Sequence, residues 1–298
     1  MAGATLRTEL DSGVFVITLA RAREYNTITP QLRDELAAAI DAGDAEHEAH
    51  VILLRAEGPA FCAGYELEGS TAAQSRETED KAPDRRRSRV WDSVADLRMM
   101  SRYVATYMKL WYAAKPTIAA VQGWCIGGGT DMVLCADLII AAETASFGYP
   151  PSRVWGTPTT AMWVYRMGLE RAKRYLLTGD EIPAPEAARI GLILETVPER
   201  KLLDHVTGFA ERMARVPLSQ LQMLKLLCNH TAEQMGFATS RLLGSFFDGV
   251  ARHTQEGLDF VRRAQEAGFR QAVRERDGPF ADYGSGPRSR SRRGKGKA

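Results

Sequence analysis

Three consecutive glycines, Gly127, Gly128 and Gly129, stand in "VQGWCIGGGTDMVLCADLIIAA" between one apolar run and another that carries Asp131. Glycine is costly to order, so a triplet marks a place where the backbone must come close to something. At the start of a helix that follows a strand, such a cluster presents free backbone N–H groups together with the positive end of the helix dipole, a combination that favours negative charge. The charge could be a phosphate, yet the spacing is neither G-x-G-x-x-G nor G-x-x-x-x-G-K-[ST]. It could instead be a carbonyl oxygen that becomes negative during a reaction, and an oxyanion hole of that kind needs a second donor. "GPAFCAGYELEG" supplies a second glycine turn, in which the N–H of Tyr65 follows Gly64. Taken alone, either turn reads as structural.

The surrounding patterns supply the elements that must hold these turns. "VFVITLA" and "HVILLRAEG" read as buried strands, and between them "TPQLRDELAAAIDAG" has a helix start, Thr29 then Pro30, with Leu32, Leu36 and Ile40 at four-residue spacing. A second unit runs from "PTIAAVQG" as a strand through the glycines and "TDMVLCAD" as a helix to "LIIAA" as a strand. Such alternation predicts an α/β fold class, with helices packed on sheets. Beyond "RAKRYLLTG", strands nearly vanish except "LILETV", and "SQLQMLKLLCNHTAEQ" and "SRLLGSFFDGVARH" read as helices. The expected organisation is a core over 1–199 with a polar insertion at about 69–90 in a lid-like position, a helical C-terminal region over 200–283, and a disordered basic tail over 284–298.

Composition excludes several function classes. A chain of 298 residues, 45% hydrophobic and 26% charged, has the balance of a soluble globular protein. It carries no run of about 18 apolar residues to cross a bilayer, and "MAGATLRTELDSG" lacks a signal-peptide core, so the expectation is a cytoplasmic protein without a membrane partner. Six of the 39 Lys/Arg lie in the tail "GSGPRSRSRRGKGKA", which leaves the rest with fewer basic residues than its 37 acidic ones. Nucleic acid is therefore excluded as a partner of the body by charge, and only the tail keeps that option open. Cys62, Cys125, Cys135 and Cys228 show neither disulfide-framework nor zinc spacing, and no metal is expected. None of the five histidines stands near the glycine turns, which argues against a Ser-His or Cys-His nucleophile.

Together, "FCAGYELEG", "KPTIAAVQGWCIGGGTDMVLCADLIIAAETASFGYP" and "AKRYLLTGDEIPAPEAARIGLILETVP" resemble, in order and interval, the enoyl-CoA hydratase/isomerase (crotonase) family, and "LARAREYNTITPQL" resembles its N-terminal segment. The resemblance spans roughly residues 10–270. It implies a crotonase-like spiral of strand-strand-helix units with a C-terminal helical domain, assembled as a homotrimer or hexamer. It also implies an acyl-CoA or enoyl-CoA thioester as substrate, with coenzyme A entering as part of that substrate and no permanently bound cofactor. Carried over by position, the oxyanion hole falls on the backbone N–H groups of Tyr65 and Gly128, and a first acid/base group falls on Asp131. Ala63, Gly64, Glu66, Leu67 and Gly127 surround those donors as substrate contacts, and Arg23 stands at a position often basic in the family.

The chain also departs from the family. Where hydratases carry a second glutamate, "FGYPPSRVWGTPTTAM" has no carboxylate, which favours proton transfer by Asp131 and predicts slow hydration of a short enoyl-CoA. Asp131 could alternatively bond neighbouring backbone on a buried helix. Tyr149 and Arg153 could contact a polar acyl group or hold their loop, and Glu66 reads as a turn anchor. Trp124, Trp155 and Trp163 could shape an acyl pocket. Glu68 stands where relatives often have a base, and Arg85 to Arg89 of the insertion could replace it. The alternative from another class is a crotonase fold retained to bind CoA thioesters or RNA without turnover.

Overall fold

The computed structural model describes residues 3–66 and 92–283. The expected insertion and the tail, with Leu67, Glu68 and Arg85 to Arg89, lie outside the described residues. The chain opens with β1 (Leu6–Asp11) and β2 (Val14–Leu19), an antiparallel hairpin. α1 (Pro30–Ala45) follows, and its start is as the sequence predicts: the Thr29 side chain accepts the Leu32 N–H at 3.0 Å, Pro30 fills the first turn, and Leu32, Leu36 and Ile40 are buried.

β3 (Val51–Ala56) and β4 (Ala60–Cys62) lead to α2 (Ser93–Tyr112), which Asp92 caps by accepting the Val94 and Ala95 N–H groups. β5 (Thr117–Val121), β6 (Trp124–Ile126), α3 (Gly128–Val133), β7 (Leu138–Ala142) and β8 (Ser146–Gly148) follow in turn. Then come α4 (Met162–Met167), α5 (Leu169–Thr178), β9 (Ile182–Pro183), α6 (Ala184–Arg189) and β10 (Glu195–Val197). The rest is helical: α7 (Leu202–Ala214), α8 (Leu218–Gln234), α9 (Phe237–Arg252), α10 (Gln255–Ala267) and α11 (Phe269–Asp277).

Two sheets result. One has the order β1-β2-β3-β5-β7-β10, parallel from β2 onward, and the other has the order β4-β6-β8-β9. The strand expected over "PTIAAVQG" is β5, and the chain then turns at Gln122 and Gly123 and adds β6, a strand that expectation did not include, to the second sheet. The pairs β3/β4, β5/β6 and β7/β8 each give one strand to each sheet before the next helix, so a loop at the second sheet's strand ends recurs at equivalent places. β5 is fully buried, as expected of a parallel strand covered on both faces. Leu53, Ile118, Ile139 and Met132 share one core. No helix among the described residues is long and apolar enough to cross a membrane.

Candidate active site

The two glycine turns meet where strands of the second sheet end. After β4, residues 63–66 run beside Ile28, whose N–H donates to Gly64 O at 2.8 Å while the Glu66 N–H donates to Ile28 O at 3.0 Å. Polar groups of successive residues in an extended chain point to opposite sides, so the Tyr65 N–H faces away from Ile28. After β6, the Gly127 N–H donates to Gly148 O at 3.0 Å, and Gly127 O accepts the Thr130 N–H and the Thr130 hydroxyl. That bracing leaves the Gly128 N–H at the open start of α3.

Gly64 and Gly127, which precede the two donors, have φ of +93° and +55°, conformations that side chains resist. A Cβ at Gly64 would stand 3.7 Å from the Gly128 nitrogen, so the turns are in contact. Neither the Tyr65 nor the Gly128 N–H has an acceptor among the described residues. Two unclaimed amides side by side can hold an oxygen that gains negative charge.

The Tyr65 ring covers this place. A Cβ on Gly128 would lie 2.6 Å from that ring, which meets Tyr103 edge-on at 5.4 Å, and the Tyr65 hydroxyl accepts the Tyr107 hydroxyl at 3.2 Å. Asp131 lies one turn into α3 at 0% exposure. Its carboxylate accepts the Thr159 N–H at 3.2 Å and the Thr159 hydroxyl at 2.9 Å. Burial pushes its pKa well above the ordinary carboxylate value, with the charge of Asp248 adding to the rise and the Thr159 bonds opposing it. Asp131 also raises the Tyr65 and Tyr149 hydroxyl pKa values, second in each case to burial, which places these groups in one low-dielectric neighbourhood.

Other expected residues fall elsewhere. Of the two readings of Arg153, the geometry favours holding its loop: its side chain is 2% exposed, bonds Thr178 O at 3.0 Å, and pairs with Asp277 at 3.0 Å and Asp282 at 2.6 Å. Its guanidinium also lies 3.9 Å from the Phe280 ring centroid, so donors and faces alike are occupied by the chain end. Tyr149 is likewise committed, its hydroxyl donating to Thr157 O at 2.8 Å from a buried ring. Glu66 anchors its turn through Arg21 at 2.8 Å.

Arg23 is exposed on the 3-10 turn Ala22–Glu24, with no ion pair among the described residues, and the Ala63 N–H is held by Tyr25 O at 3.0 Å. Trp155 stacks on Phe260 at 5.1 Å, Trp124 lies against Tyr283 at 5.9 Å, and Trp163 is wholly core. Cys62, Cys125 and Cys135 are buried, whereas Cys228 is exposed. Burial pushes the Cys62 thiol up to about 12, too high for a ready nucleophile. Among the described residues no group of three His, Cys, Asp or Glu could hold a metal ion.

Residues 9–266 match the family described as enoyl-CoA hydratase/isomerase. The chain belongs to that family. It is similar to the "Probable enoyl-CoA hydratase" of Rhodobacter capsulatus, 32% identical over 224 residues that cover 74% of this chain and 79% of that protein. It is also 29% identical over 213 residues to the hydroxycinnamoyl-CoA hydratase-lyase of Pseudomonas fluorescens, covering 70% of this chain and 72% of that enzyme. The crystal structure of an enoyl-CoA hydratase from Mycobacterium smegmatis superimposes with a TM-score of 0.87 at 41% identity, covering 94% of this chain and 95% of that one. The crotonase fold therefore stands, with its paired sheets and helical C-terminal region.

Several residues that serve this hydratase/isomerase framework are not evident from the motifs. Asn26, fully buried, accepts the Arg21 N–H and donates to Glu57 O and Ala60 O, tying the first loop to the strand that carries Tyr65. Arg166 donates to Leu134 O at 2.9 Å and to Ala136 O, satisfying carbonyls at the end of α3, and burial lowers its pKa to about 10. Thr159 holds Asp131, and Asp248 reaches the same neighbourhood from α9. Only Asn26 had a local signal, a polar residue in the turn sequence "EYNT".

Proposed function

We propose that this protein forms and discharges the enolate of a coenzyme A thioester. The thioester oxygen sits between the N–H groups of Tyr65 and Gly128, and Asp131 moves the proton at the adjacent carbon. What carries the reading is the pair of amides without acceptors among the described residues, each behind a glycine of positive φ, beside a buried carboxylate. The relatives named as hydratases and as a hydroxycinnamoyl-CoA hydratase-lyase support a CoA thioester as the substrate class.

Loss or gain of a proton next to a thioester places charge on its oxygen. Fixed donors in a water-poor site lower that barrier by about 3–4 kcal/mol each, because they need no reorganisation as the charge forms. Burial raises the Asp131 pKa, which favours its proton-donating form and makes its carboxylate a stronger base. Ala63, Gly64, Glu66 and Gly127 frame the thioester through backbone, and the exposed Arg23 is available to the phosphates of the coenzyme. Leu67, expected in the same frame, lies outside the described residues. No permanently bound cofactor takes part, and the assembly is a homotrimer or a hexamer.

The test is a panel of saturated and unsaturated acyl-CoA thioesters incubated in heavy water and read by mass spectrometry. Deuterium incorporation or a change of mass in at least one member is expected. A folded protein inert toward the whole panel would contradict the reading.

A further inference from the structure

The loop after β8 carries no carboxylate between Tyr149 and Thr157, yet the site does not lack a second one. Asp248 stands on α9, more than a hundred residues along the chain from Asp131, and is buried. It pairs with Arg252 one turn on, and Arg252 in turn holds Asp96 of α2 at 2.7 Å. The same three-residue strap serves both acids: the Thr157 amide stabilises the charge of Asp248, and Thr159 donates twice to Asp131. Two residues of chain span at most about 7 Å, so the amides that hold the two carboxylates are no farther apart than that.

The strap is fixed to α9 itself. The Thr157 hydroxyl donates to Gly244 O at 3.2 Å, and the Ser245 hydroxyl donates to Thr159 O at 3.3 Å. The loop after β8 lies between Asp248 and the Gly127 turn. A Cβ on Gly156 would lie 3.5 Å from Asp248 Oδ1 and 2.9 Å from the Pro151 Cβ, and the Pro151 Cγ lies 3.7 Å from the Cβ position of Gly127. The carboxylate, the loop and the Gly127 turn are thus one continuous packing.

We propose that Asp248 is the second acid/base group of the site, supplied by the C-terminal helical region in place of a loop carboxylate. The assignment rests on the enolate reading above. In hydration, the Asp248 carboxylate takes one proton from a water whose oxygen bonds to the β carbon, while the electron pair of the double bond moves through the α carbon onto the thioester oxygen held by Tyr65 and Gly128. Asp131 then gives its proton to the α carbon as the enolate collapses back to the thioester. Water is consumed, Asp248 ends protonated and Asp131 ionised, and transfer of that proton through solvent restores both. On this assignment hydration is not slowed by the lack of a carboxylate in the loop.

The protonation states agree with this division. Burial pushes Asp248 up to about 6, against the lowering effect of Arg252, and Asp96 adds to the rise. Asp131 is raised well above the ordinary value partly by Asp248. The groups that face Asp248 are Arg252 on its own helix, Asp96 from α2, Asp131 from α3, and the Tyr65 and Tyr149 hydroxyls. Burial raises both carboxyls, and Asp248, at about 6, is ionised above that pH and so can take a proton.

Two rates separate the assignment from its alternatives: hydration of crotonyl-CoA, and deuterium uptake at the α carbon of butanoyl-CoA. Both are measured for the native protein, Asp248→Asn and Asp248→Glu, with the pH profile of hydration. The native kcat should rise with pH through about 6, as the base loses its proton. Asp248→Asn should lower hydration by at least about 100-fold, should lower the ratio of hydration to exchange by at least about 30-fold, and should lose the limb near 6, with KM little changed. Asp248→Glu should recover part of the hydration. A native profile without that limb, a fall of both rates together in Asp248→Asn, or native exchange without hydration would each overturn the role of Asp248 alone. Absence of both reactions in the native protein would overturn the enolate reading together with it.

Discussion

At the scale of single residues the proposed chemistry depends on backbone more than on side chains. Gly128 contributes an N–H and the absence of a Cβ, since a methyl there would meet the Tyr65 ring at 2.6 Å. Gly128→Pro removes that N–H and should lower turnover by at least about 100-fold while a CoA ester still binds, a difference visible in kcat against a Kd from calorimetry. Unchanged kcat would remove Gly128 from the mechanism. This part of the site was legible in the sequence, because glycine spacing is what a pair of backbone donors requires. Asp131 was legible by position, but Asp248, proposed to complement it, was not. Asp248 lies on a different helix, and only tertiary packing sets its distance from the strap at Thr157.

At the scale of elements, the loop that follows β8 is held from outside. Arg153 binds it to α11 and to the segment beyond, through Asp277 at 1% side-chain exposure and through Asp282. A buried carboxylate stripped of one partner keeps its desolvation cost, so Arg153→Met should destabilise the protein by about 3–5 kcal/mol in urea unfolding. It should also render the chain end more sensitive to protease. A change below about 1 kcal/mol would mean that Arg276, which also pairs with Asp277 at 2.7 Å, suffices. The strand-helix alternation was readable because hydrophobic period and helix caps are local. The short β6 over Trp124–Ile126 was not, since three residues before the glycines carry too little pattern and only the turn after β5 assigns them to the second sheet. The sequence left the role of Arg153 open for a like reason: its acidic partners lie far along the chain.

At the scale of the whole molecule, α8 and α9 leave an apolar face in this single chain. Leu226 and Leu227 are 70% and 65% exposed, and Met223, Leu242, Leu243 and Phe247 are exposed as well. A face of that extent is expected to be covered by copies of the same chain, as a closed ring or a pair of rings. The protein should sediment as a trimer or hexamer at micromolar concentration, and Leu226→Glu with Leu227→Glu should shift it to monomer. A native monomer would contradict the assembly. The enolate reading itself stands or falls on Asp131, and its most direct test is deuterium uptake at the α carbon of butanoyl-CoA in heavy water, native against Asp131→Asn. The account predicts ready uptake by the native protein, at least about 100-fold less in the variant, and thioester affinity within about threefold. Equal uptake by the two proteins would contradict it.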